Sequence, residues 1–352
     1  MSVLDLQNAQ SGSPDGARPT FCAGVDVSKL TFDASVSPVG AVPEFLSRLP
    51  VSSFQMTQAG AEDFKKWLSS CLSGASPTTI VIEATGVYSK RFAELIRPLA
   101  IAPVSTVNPR YPQDFRRSLG VKDKTDAVDA RILAVYGAMR TPKPDREVSA
   151  KEAHLKELHR LCDDMAQDIA AWRNRLEQAS AASVRSIIEV TIRSLEKHLE
   201  KAQLKLKKLV ASDERLSRDL NLICSVPGIG EKTATMLLAE LWDLRLWKRS
   251  NIVSYCGLFP RCHSSGTSVS KRPRLAKGGG ARIRRGLYMC ALSATRTKSK
   301  LAEFRRHLLQ NGKSKMCAIG ALMRKLLLTA RAVVISGIPY SHHFPLNLTL
   351  SP

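Results

Sequence analysis

The sequence predicts an α/β N-terminal domain built on a mixed sheet, then a long helical region and a mainly helical, basic C-terminal domain. Three observations support this. Short apolar and β-branched runs alternate with helical periodicity up to about residue 140. The segment 150–215 is rich in leucine, with apolar residues at three- and four-residue steps. Beyond residue 220, Gly/Pro turns separate shorter predicted helices. The alternation of strand-like runs with helical segments before residue 140 is typical of a sheet covered by helices.

The N-terminal domain is predicted at 21–148, after a disordered leader at 1–20 that is polar and has no apolar signal-peptide core. The predicted strands lie at 21–27, 29–36, within 45–56, 78–82 and 101–107. The predicted helices lie at 59–71, 89–99 and 126–139. The order of three strands, helix, strand, helix, strand and helix fits the ribonuclease H-like kind of fold.

The middle region at 149–215 is predicted to form one or two long helices, as an antiparallel pair or a coiled coil. It could be an oligomerisation arm, or equally a helix packed on its own domain. The basic C-terminal domain is predicted at 216–340. Its apolar run at 326–338 is short and broken by Arg331, so we predict a buried helix and no membrane span.

Positive charge is concentrated in the C-terminal region. Lys and Arg number 53 against 31 acidic residues, a formal net charge of +22. Between Arg261 and Arg331 there are 18 Lys or Arg and one acid, Glu303, so +17 of this charge lies in 71 residues. Such an excess predicts a polyanionic partner, because each neutralised phosphate releases counterions.

The eight cysteines form no CxxC pair. Cys256, Cys262 and His263 make the only local cluster, which lacks zinc-ligand spacing. The pattern predicts reduced cysteines in a cytoplasmic protein.

Four acids occupy positions where a ribonuclease H-like sheet presents metal ligands. Asp26 lies inside an apolar strand, where a carboxylate is costly to bury without a partner or a metal. Glu83 ends a short β-branched strand, and Asp126 and Asp129 are three apart on one helix face. Two-metal phosphoryl transfer needs such converging carboxylates. The sequence therefore predicts that these four acids bind Mg²⁺ or Mn²⁺.

Each acid also has a plain structural interpretation. Asp26 could be a strand-end residue at a hairpin, Glu83 a loop acid, and Asp126 only a helix N-cap. Four acids at the four expected positions favour the metal site. Other nearby acids are expected to be peripheral; they are Asp33, Asp114 and Asp123. Nearby bases could contact phosphate; they are Lys122, Lys124 and Arg131.

An ordered set of motifs resembles the DEDD-type insertion-sequence transposases, a family that includes a pilin-gene DNA invertase. The motifs are Gly-Val-Asp-Val-Ser-Lys at 24–29, Glu-Ala-Thr-Gly at 83–86, Asn-Pro at 108–109, Lys-Thr-Asp-Ala-Val-Asp-Ala at 124–130, Val-Pro-Gly-Ile-Gly at 226–230, Gly-Leu-Phe-Pro at 257–260 and Ser-Gly-Thr-Ser at 265–268, followed by Lys277 and residues 284–288. The resemblance runs from about residue 21 to 300. One departure is Gly-Gly-Gly-Ala after Lys277, where the family often has x-Gly-Asn or x-Gly-Asp.

The resemblance implies a RuvC-like N-terminal domain that binds magnesium through Asp26, Glu83, Asp126 and Asp129, and a C-terminal transposase domain with a serine nucleophile. Family members are guided by a structured RNA from their own element, which pairs with target and donor DNA. They act as oligomers whose active sites combine the RuvC-like domain of one subunit with the serine domain of another. For this chain it implies double-stranded DNA (element ends and target), a guide RNA, a homo-oligomer (dimer or tetramer) and a bacterial, nucleoid-associated location.

The nucleophile implied by the resemblance is Ser265, the serine before Gly266. It would attack a DNA phosphodiester and form a phosphoserine link that conserves the bond energy for rejoining. From the residues alone, 263–270 is a flexible Ser/Gly loop. The neighbouring Ser264 and Ser268 leave the assignment open.

Two C-terminal features are predicted to contact nucleic-acid phosphate. The turn containing Gly228 and Gly230 resembles the hairpin of helix-hairpin-helix modules, in which backbone N–H groups receive a phosphate; an ordinary Pro-Gly turn is the alternative. The basic stretch has few aromatic residues, so it should contact phosphate and not stack on bases. Its members are Lys271, Arg272, Arg274, Lys277, Arg282, Arg284 and Arg285. A solvated charged face is the alternative there.

The sequence predicts a transposase or site-specific DNA recombinase. A structure-selective nuclease without a covalent intermediate is the main alternative, and Ser265→Ala would leave it active. A sugar- or acetate-kinase-like ATPase would also open with Gly-x-Asp and a hairpin, but the basic C-terminal region argues against it. For a non-catalytic nucleic-acid-binding protein, Asp26→Asn would change nothing.

Overall fold

The computed structural model describes residues 21–39, 43–72, 77, 79–265 and 269–341, and at 43–45, 262–265 and 269–273 it describes the backbone. The predicted leader at 1–20 lies outside the described residues. Contacts divide the chain into two compact units, Met1–Glu147 and Val148–Pro352. Each unit is considered by itself below.

The first unit contains a five-stranded mixed sheet. Its strands are β1 (Phe21–Val27), β2 (Thr31–Pro38), β3 (Val51–Gln55), β4 (Thr79–Glu83) and β5 (Val104–Val107). They lie in the order β3-β2-β1-β4-β5, with β1, β2 and β3 antiparallel and with β4 and β5 parallel to β1. This order confirms the predicted ribonuclease H-like fold.

Four α-helices accompany this sheet in the described part of the unit: α1 (Gln58–Cys71), α2 (Val87–Ile96), α3 (Arg110–Ser118) and α4 (Asp126–Arg140). The sequence did not predict α3, because Asn-Pro at 108–109 reads as the end of a strand. The same residues also begin a helix. The side chain of Asn108 accepts a hydrogen bond from the Arg110 N–H at 3.0 Å, and Pro112 is tolerated in a first turn.

The two faces of β1 have different tasks, because successive side chains of a strand point to opposite faces. Phe21, Ala23 and Val25 belong to the core that also contains Phe64 of α1 and Phe92 of α2. The alternate positions 22, 24 and 26 therefore face α4. A small residue at the middle of these positions lets the helix approach closely. A Cβ atom added at Gly24 would lie 2.0 Å from the backbone nitrogen of Ala134.

We expect Gly24→Ala to destabilise the protein by about 3 kcal/mol, the upper part of the usual range for overpacking, because backbone atoms and not a flexible side chain oppose the new methyl group. Urea unfolding followed by circular dichroism measures this change. Gly120→Ala is a matched control in the same unit. Gly120, unlike Gly24, has a positive φ (+68°), but its Cβ position is open, so the stability lost in Gly120→Ala should be only about 1 kcal/mol. Equal losses for the two variants would contradict the close-packing argument.

The second unit opens with two long helices, α5 (Ala150–Gln178) and α6 (Ala182–Ala211). Ion pairs Lys151–Asp213 near one end and Arg173–Glu196 near the other show that the two helices run antiparallel. Ile169 of α5 packs with isoleucines of α6 near the turn. The structure thus shows the predicted antiparallel pair, and Arg160 of its first helix bonds Glu240 of the same unit. Use of the pair as an oligomerisation arm stays a prediction.

The rest of the second unit is mainly helical. It contains α7 (Glu214–Cys224), α8 (Glu231–Leu241), α9 (Arg249–Tyr255), α10 (Ala281–Ala294), α11 (Lys300–Gln310), α12 (Lys315–Ser336) and a hairpin of β6 (Pro260–Ser265) and β7 (Val269–Leu275). The predicted loop at 263–270 is thus partly wrong, since residues 263–265 pair with β7. Helix α12 carries the apolar run and is largely buried. None of the helices in the described ranges is long and apolar enough to span a bilayer.

Candidate active site

One polar cavity of about 260 Å³ in the first unit brings the four predicted acids together. Its acidic lining residues are Asp26, Glu83, Asp126 and Asp129. Its basic lining residues are Arg116 and Lys124. Strands β1 and β4 and helices α3 and α4 therefore all contribute, although their residues are far apart in the chain.

The sheet register explains why Asp26 and Glu83 meet. β1 and β4 are adjacent and parallel, with Val25 paired to Ile82. Val81 faces α4, because its side chain lies 2.7 Å from the position that a Cβ at Gly137 would take. Glu83 is two residues further on and shares that face. Both acids thus project from neighbouring strand ends towards α4.

Helix α4 supplies the other two acids from its first turn. Thr125 is the N-cap, and its hydroxyl accepts a hydrogen bond from the Val128 N–H at 3.3 Å. The interpretation of Asp126 as the N-cap is therefore wrong. The positive end of the helix dipole favours carboxylates at Asp126 and Asp129. Lys124 lies just before the cap and is exposed.

Burial and like charge together oppose ionisation of the innermost acid. Desolvation and, after it, the charges of Asp129, Asp126, Glu83 and Asp33 together raise the pKa of Asp26 to about 7. Burial and Asp129 also raise the pKa of Glu83, although Lys124 and Arg116 act against this rise. The cavity therefore concentrates negative charge that lacks full compensation within the protein.

Arg116 is a site residue that sequence reasoning missed. It lies on α3, and its Nη1 atom is 3.3 Å from Oδ1 of Asp129. The two side chains are only 20% and 28% exposed. The signal was hidden because the helix itself was not predicted. Arg131, expected to contact phosphate, instead donates from Nε to the carbonyl oxygen of Leu49 at 3.0 Å, so it holds a neighbouring segment against α4.

The donor set suits a hard divalent cation. Carboxylate oxygens are the ligands that Mg²⁺ and Mn²⁺ prefer, and a cation would relieve the repulsion that raises the pKa of Asp26. Within the described ranges, however, no three His, Cys, Asp or Glu side chains already lie close enough to hold an ion. The acids line a common cavity without converging on one point.

The predicted hairpin turn in the second unit connects α7 to α8. Gly228 has φ +90°, and a Cβ there would lie 2.7 Å from the carbonyl oxygen of Cys290, so glycine is needed for packing against α10. Gly230 is the N-cap of α8 without a side-chain cap, and its Cβ position is open. Because no side chain caps α8, the N–H groups of its first turn are not bonded by a capping side chain. The open Cβ position also shows that packing does not require glycine at Gly230.

The basic stretch divides into exposed and paired residues. Arg274 and Lys277 are exposed. Arg284 donates from Nη1 to backbone carbonyl oxygens, among them that of Cys256 at 3.1 Å, so it holds the loop before α10. Glu303 is the only acid between Arg261 and Arg331, yet Arg282 and Arg285 are not free of acidic partners. They pair with Asp163 and Asp164 of α5, which lie far away in the sequence.

Ser265 belongs to the second unit and is the last residue of β6, with its Cα paired to that of Val269. Ser264 pairs in the same way with Ser270. Ser268 lies outside the described residues, as do the side chains of Lys271 and Arg272.

The two halves of the chain match two family models. A DEDD-type model described as a transposase matches residues 23–179. A model described as the transposase IS116/IS110/IS902 family matches residues 220–306. The first match includes every acid of the cavity, and the second includes the hairpin turn, Ser265 and the basic stretch.

Curated relatives extend the similarity over most of the chain. The pilin gene-inverting protein of Moraxella bovis is 30% identical over 322 residues, covering 90% of this chain and 96% of the relative. The corresponding protein of Moraxella lacunata gives the same values. An uncharacterized 43.6 kDa protein of insertion element IS110 from Streptomyces coelicolor is 25% identical over 131 residues, 37% of this chain and 32% of that protein.

Among solved structures, RuvC of Thermus thermophilus is similar at 14% identity and a TM-score of 0.25, covering 36% of this chain and 100% of RuvC. The assignment rests on the family models and the full-length relatives. The chain belongs to the IS116/IS110/IS902 family of DEDD transposases and is a DNA transposase or recombinase.

Proposed function

We propose that this protein cuts and rejoins DNA with a divalent metal held by Asp26, Glu83, Asp126 and Asp129 and with Ser265 as nucleophile. The observation that carries the metal site is the single cavity lined by all four acids, in which burial and mutual repulsion raise the pKa of Asp26 to about 7. Magnesium, or manganese in its place, would stabilise charge on the reacting phosphate oxygens when bound.

The chain's own residues have distinct tasks in this proposal. Lys124 and Arg116 supply positive charge beside the acids, where a DNA phosphate can be held. The Oγ atom of Ser265 loses its proton and forms a bond to phosphorus. The bond from phosphorus to a bridging sugar oxygen of the DNA breaks, and that oxygen takes up a proton and leaves as a hydroxyl. Reversal of the same step by another DNA hydroxyl releases serine and rejoins the strand.

The partners follow from the family and from charge. Double-stranded DNA, as element ends and target, fits the +22 net charge. The resemblance to RNA-guided family members supports a guide RNA from the element. It also supports a homo-oligomer, dimer or tetramer, in which the acids of one subunit work with the Ser265 of another.

Co-expression with the flanking element DNA tests this proposal. The purified protein should carry a discrete RNA. With Mg²⁺ and element DNA, it should form an adduct that survives denaturation and maps to Ser265 by mass spectrometry. EDTA should abolish the adduct. Cut DNA with free ends and no adduct would favour the metal-dependent nuclease, and the absence of RNA would refute guidance.

A further inference from the structure

Two arginines of the predicted phosphate-binding stretch form hydrogen bonds and ion pairs with side chains of α5, in the same unit. Arg282 donates from Nε to Oδ2 of Asp163 at 3.0 Å, and its Nη2 bonds Asp164. Arg285 bonds Asp163 through Nη2 and donates from Nη1 to Oε1 of Gln167 at 2.8 Å. The acceptors lie on α5 and the donors on α10, 118 or more residues apart in the chain.

The arrangement is the one that a guanidinium makes with phosphate. Arginine presents a planar fork of N–H donors that fits carboxylate and phosphate oxygens alike. Arg282 and Arg285 are three apart on α10 and so face the same way. Asp163, Asp164 and Gln167 together offer several acceptor oxygens to the two forks, as neighbouring phosphates of one strand would.

These pairs are accessible enough to exchange partners. The side chains of Arg282 and Arg285 are 34% and 50% exposed, and that of Asp164 is 54% exposed. Ion pairs at such sites contribute little net stability, because water screens them. Asp163 is only 14% exposed and accepts from both arginines, so it is the anchor of the group.

A different ion pair nearby has the opposite character. Arg160 of α5 bonds Glu240 of α8 through two hydrogen bonds of 2.8 Å, and the Glu240 side chain is 6% exposed. That pair can hold the helices together whatever happens at the surface. The contact of Asp163 and Asp164 with α10 is therefore not needed to attach α5 to the rest of the unit.

We propose that Asp163 and Asp164 occupy phosphate positions on Arg282 and Arg285 and act as a built-in competitor of nucleic acid. The proposal rests on the function proposed above, in which this surface contacts the DNA backbone. The partner that fits is a duplex backbone, because a row of phosphates can replace both carboxylates at once, whereas a single phosphate ion cannot. This competition would weaken binding to DNA that contacts Arg282 and Arg285 only transiently.

The test compares Asp163→Asn/Asp164→Asn with Asp168→Asn in the full chain. Asp168 is an exposed acid on the same helix and forms none of these arginine bonds. Binding to a fluorescent duplex of unrelated sequence is measured by anisotropy over a NaCl series. We expect the double variant to bind about fivefold to tenfold more tightly than wild type at low salt, with the gain shrinking as salt screens the charges. Asp168→Asn should change affinity less than twofold.

Arg282→Gln/Arg285→Gln separates the possible failures. If this variant binds the duplex more weakly but the Asn double variant gains nothing over Asp168→Asn, the competitor is refuted and the arginine surface stands. If the Gln variant binds as tightly as wild type, the surface itself is not a DNA site. Weaker binding by the Asn double variant, with unchanged circular dichroism and unfolding, would instead make the acids positioning residues and overturn the proposal.

Discussion

Replacing Asp26 by Asn is expected to abolish DNA recombination while making the metal-free protein more stable at neutral pH. Asp26 is the innermost acid of the cavity, and Asn keeps its shape without its charge. Losing one such electrostatic group from a reaction centre costs on the order of a hundred- to a thousandfold in rate. Recombination of an element-end substrate, measured by amplification of the joined product, should therefore fall at least that far.

The stability gain has a defined pH dependence. Unfolded Asp26 titrates near 3.8, whereas the folded residue titrates at about 7, because burial and then the charges of neighbouring acids disfavour the carboxylate. Between those values the folded state binds more protons, so wild-type stability falls as pH rises from about 4 to about 7. Asn carries no charge at any pH. The advantage of Asp26→Asn should thus be near zero at pH 4 and reach on the order of 2 kcal/mol above pH 7, allowing for partial solvent screening.

Urea unfolding in EDTA at several pH values measures this difference. Adding Mg²⁺ or Mn²⁺ should stabilise wild type more than the variant, since a ligand that binds the folded state raises its stability. Asp123→Asn, at an exposed acid outside the cavity, should keep both recombination and the wild-type metal response. A recombining Asp26→Asn protein would exclude Asp26 as a metal ligand, and a pH-independent advantage would contradict the electrostatic account.

Strand context was enough to predict half of this site. An acid inside an apolar strand and another at the end of a β-branched strand stand out, because carboxylates are rarely left there without a function. Gly24, two residues before Asp26, is a further informative residue that the sequence analysis did not use. A glycine inside a strand often marks close approach of another backbone, and Gly24 is where α4 meets the sheet. That contact explains why Asp126 and Asp129 end up beside Asp26.

The rest of the site depends on contacts that a local pattern does not contain. Arg116 contacts Asp129 because α3 packs against the first turn of α4. Pro109 and Pro112 at the start of α3 made this segment look like a loop in the sequence. Likewise, the sequence near Arg282 holds almost no acids, yet Asp163 lies against it from 119 residues earlier. The sequence therefore shows the excess of basic residues, but it does not show which of them are paired with acids and which are available to phosphate.

Ser265→Ala is expected to remove both recombination and the protein–DNA adduct, by more than about a thousandfold, because no other group can take over a lost nucleophile. Binding of duplex DNA and unfolding by urea should stay at wild-type values, since the change deletes one oxygen at the end of β6. Adduct formation on labelled element DNA with Mg²⁺ gives the direct measurement, and recombination of the same DNA gives the functional one.

The neighbouring serines provide the matched controls that make this prediction sharp. Ser264→Ala and Ser268→Ala remove the same oxygen one residue before and three residues after Ser265, so both should recombine within a few-fold of wild type.

If one of them loses the adduct and Ser265→Ala keeps it, the nucleophile is that serine and the proposed chemistry survives at a new position. If Ser265→Ala still cuts DNA with Mg²⁺ but leaves free ends, the carboxylate cavity works as a nuclease and serine is needed only for rejoining. If all three variants recombine normally, no serine of this segment forms the covalent link, and the four acids must support strand transfer without it.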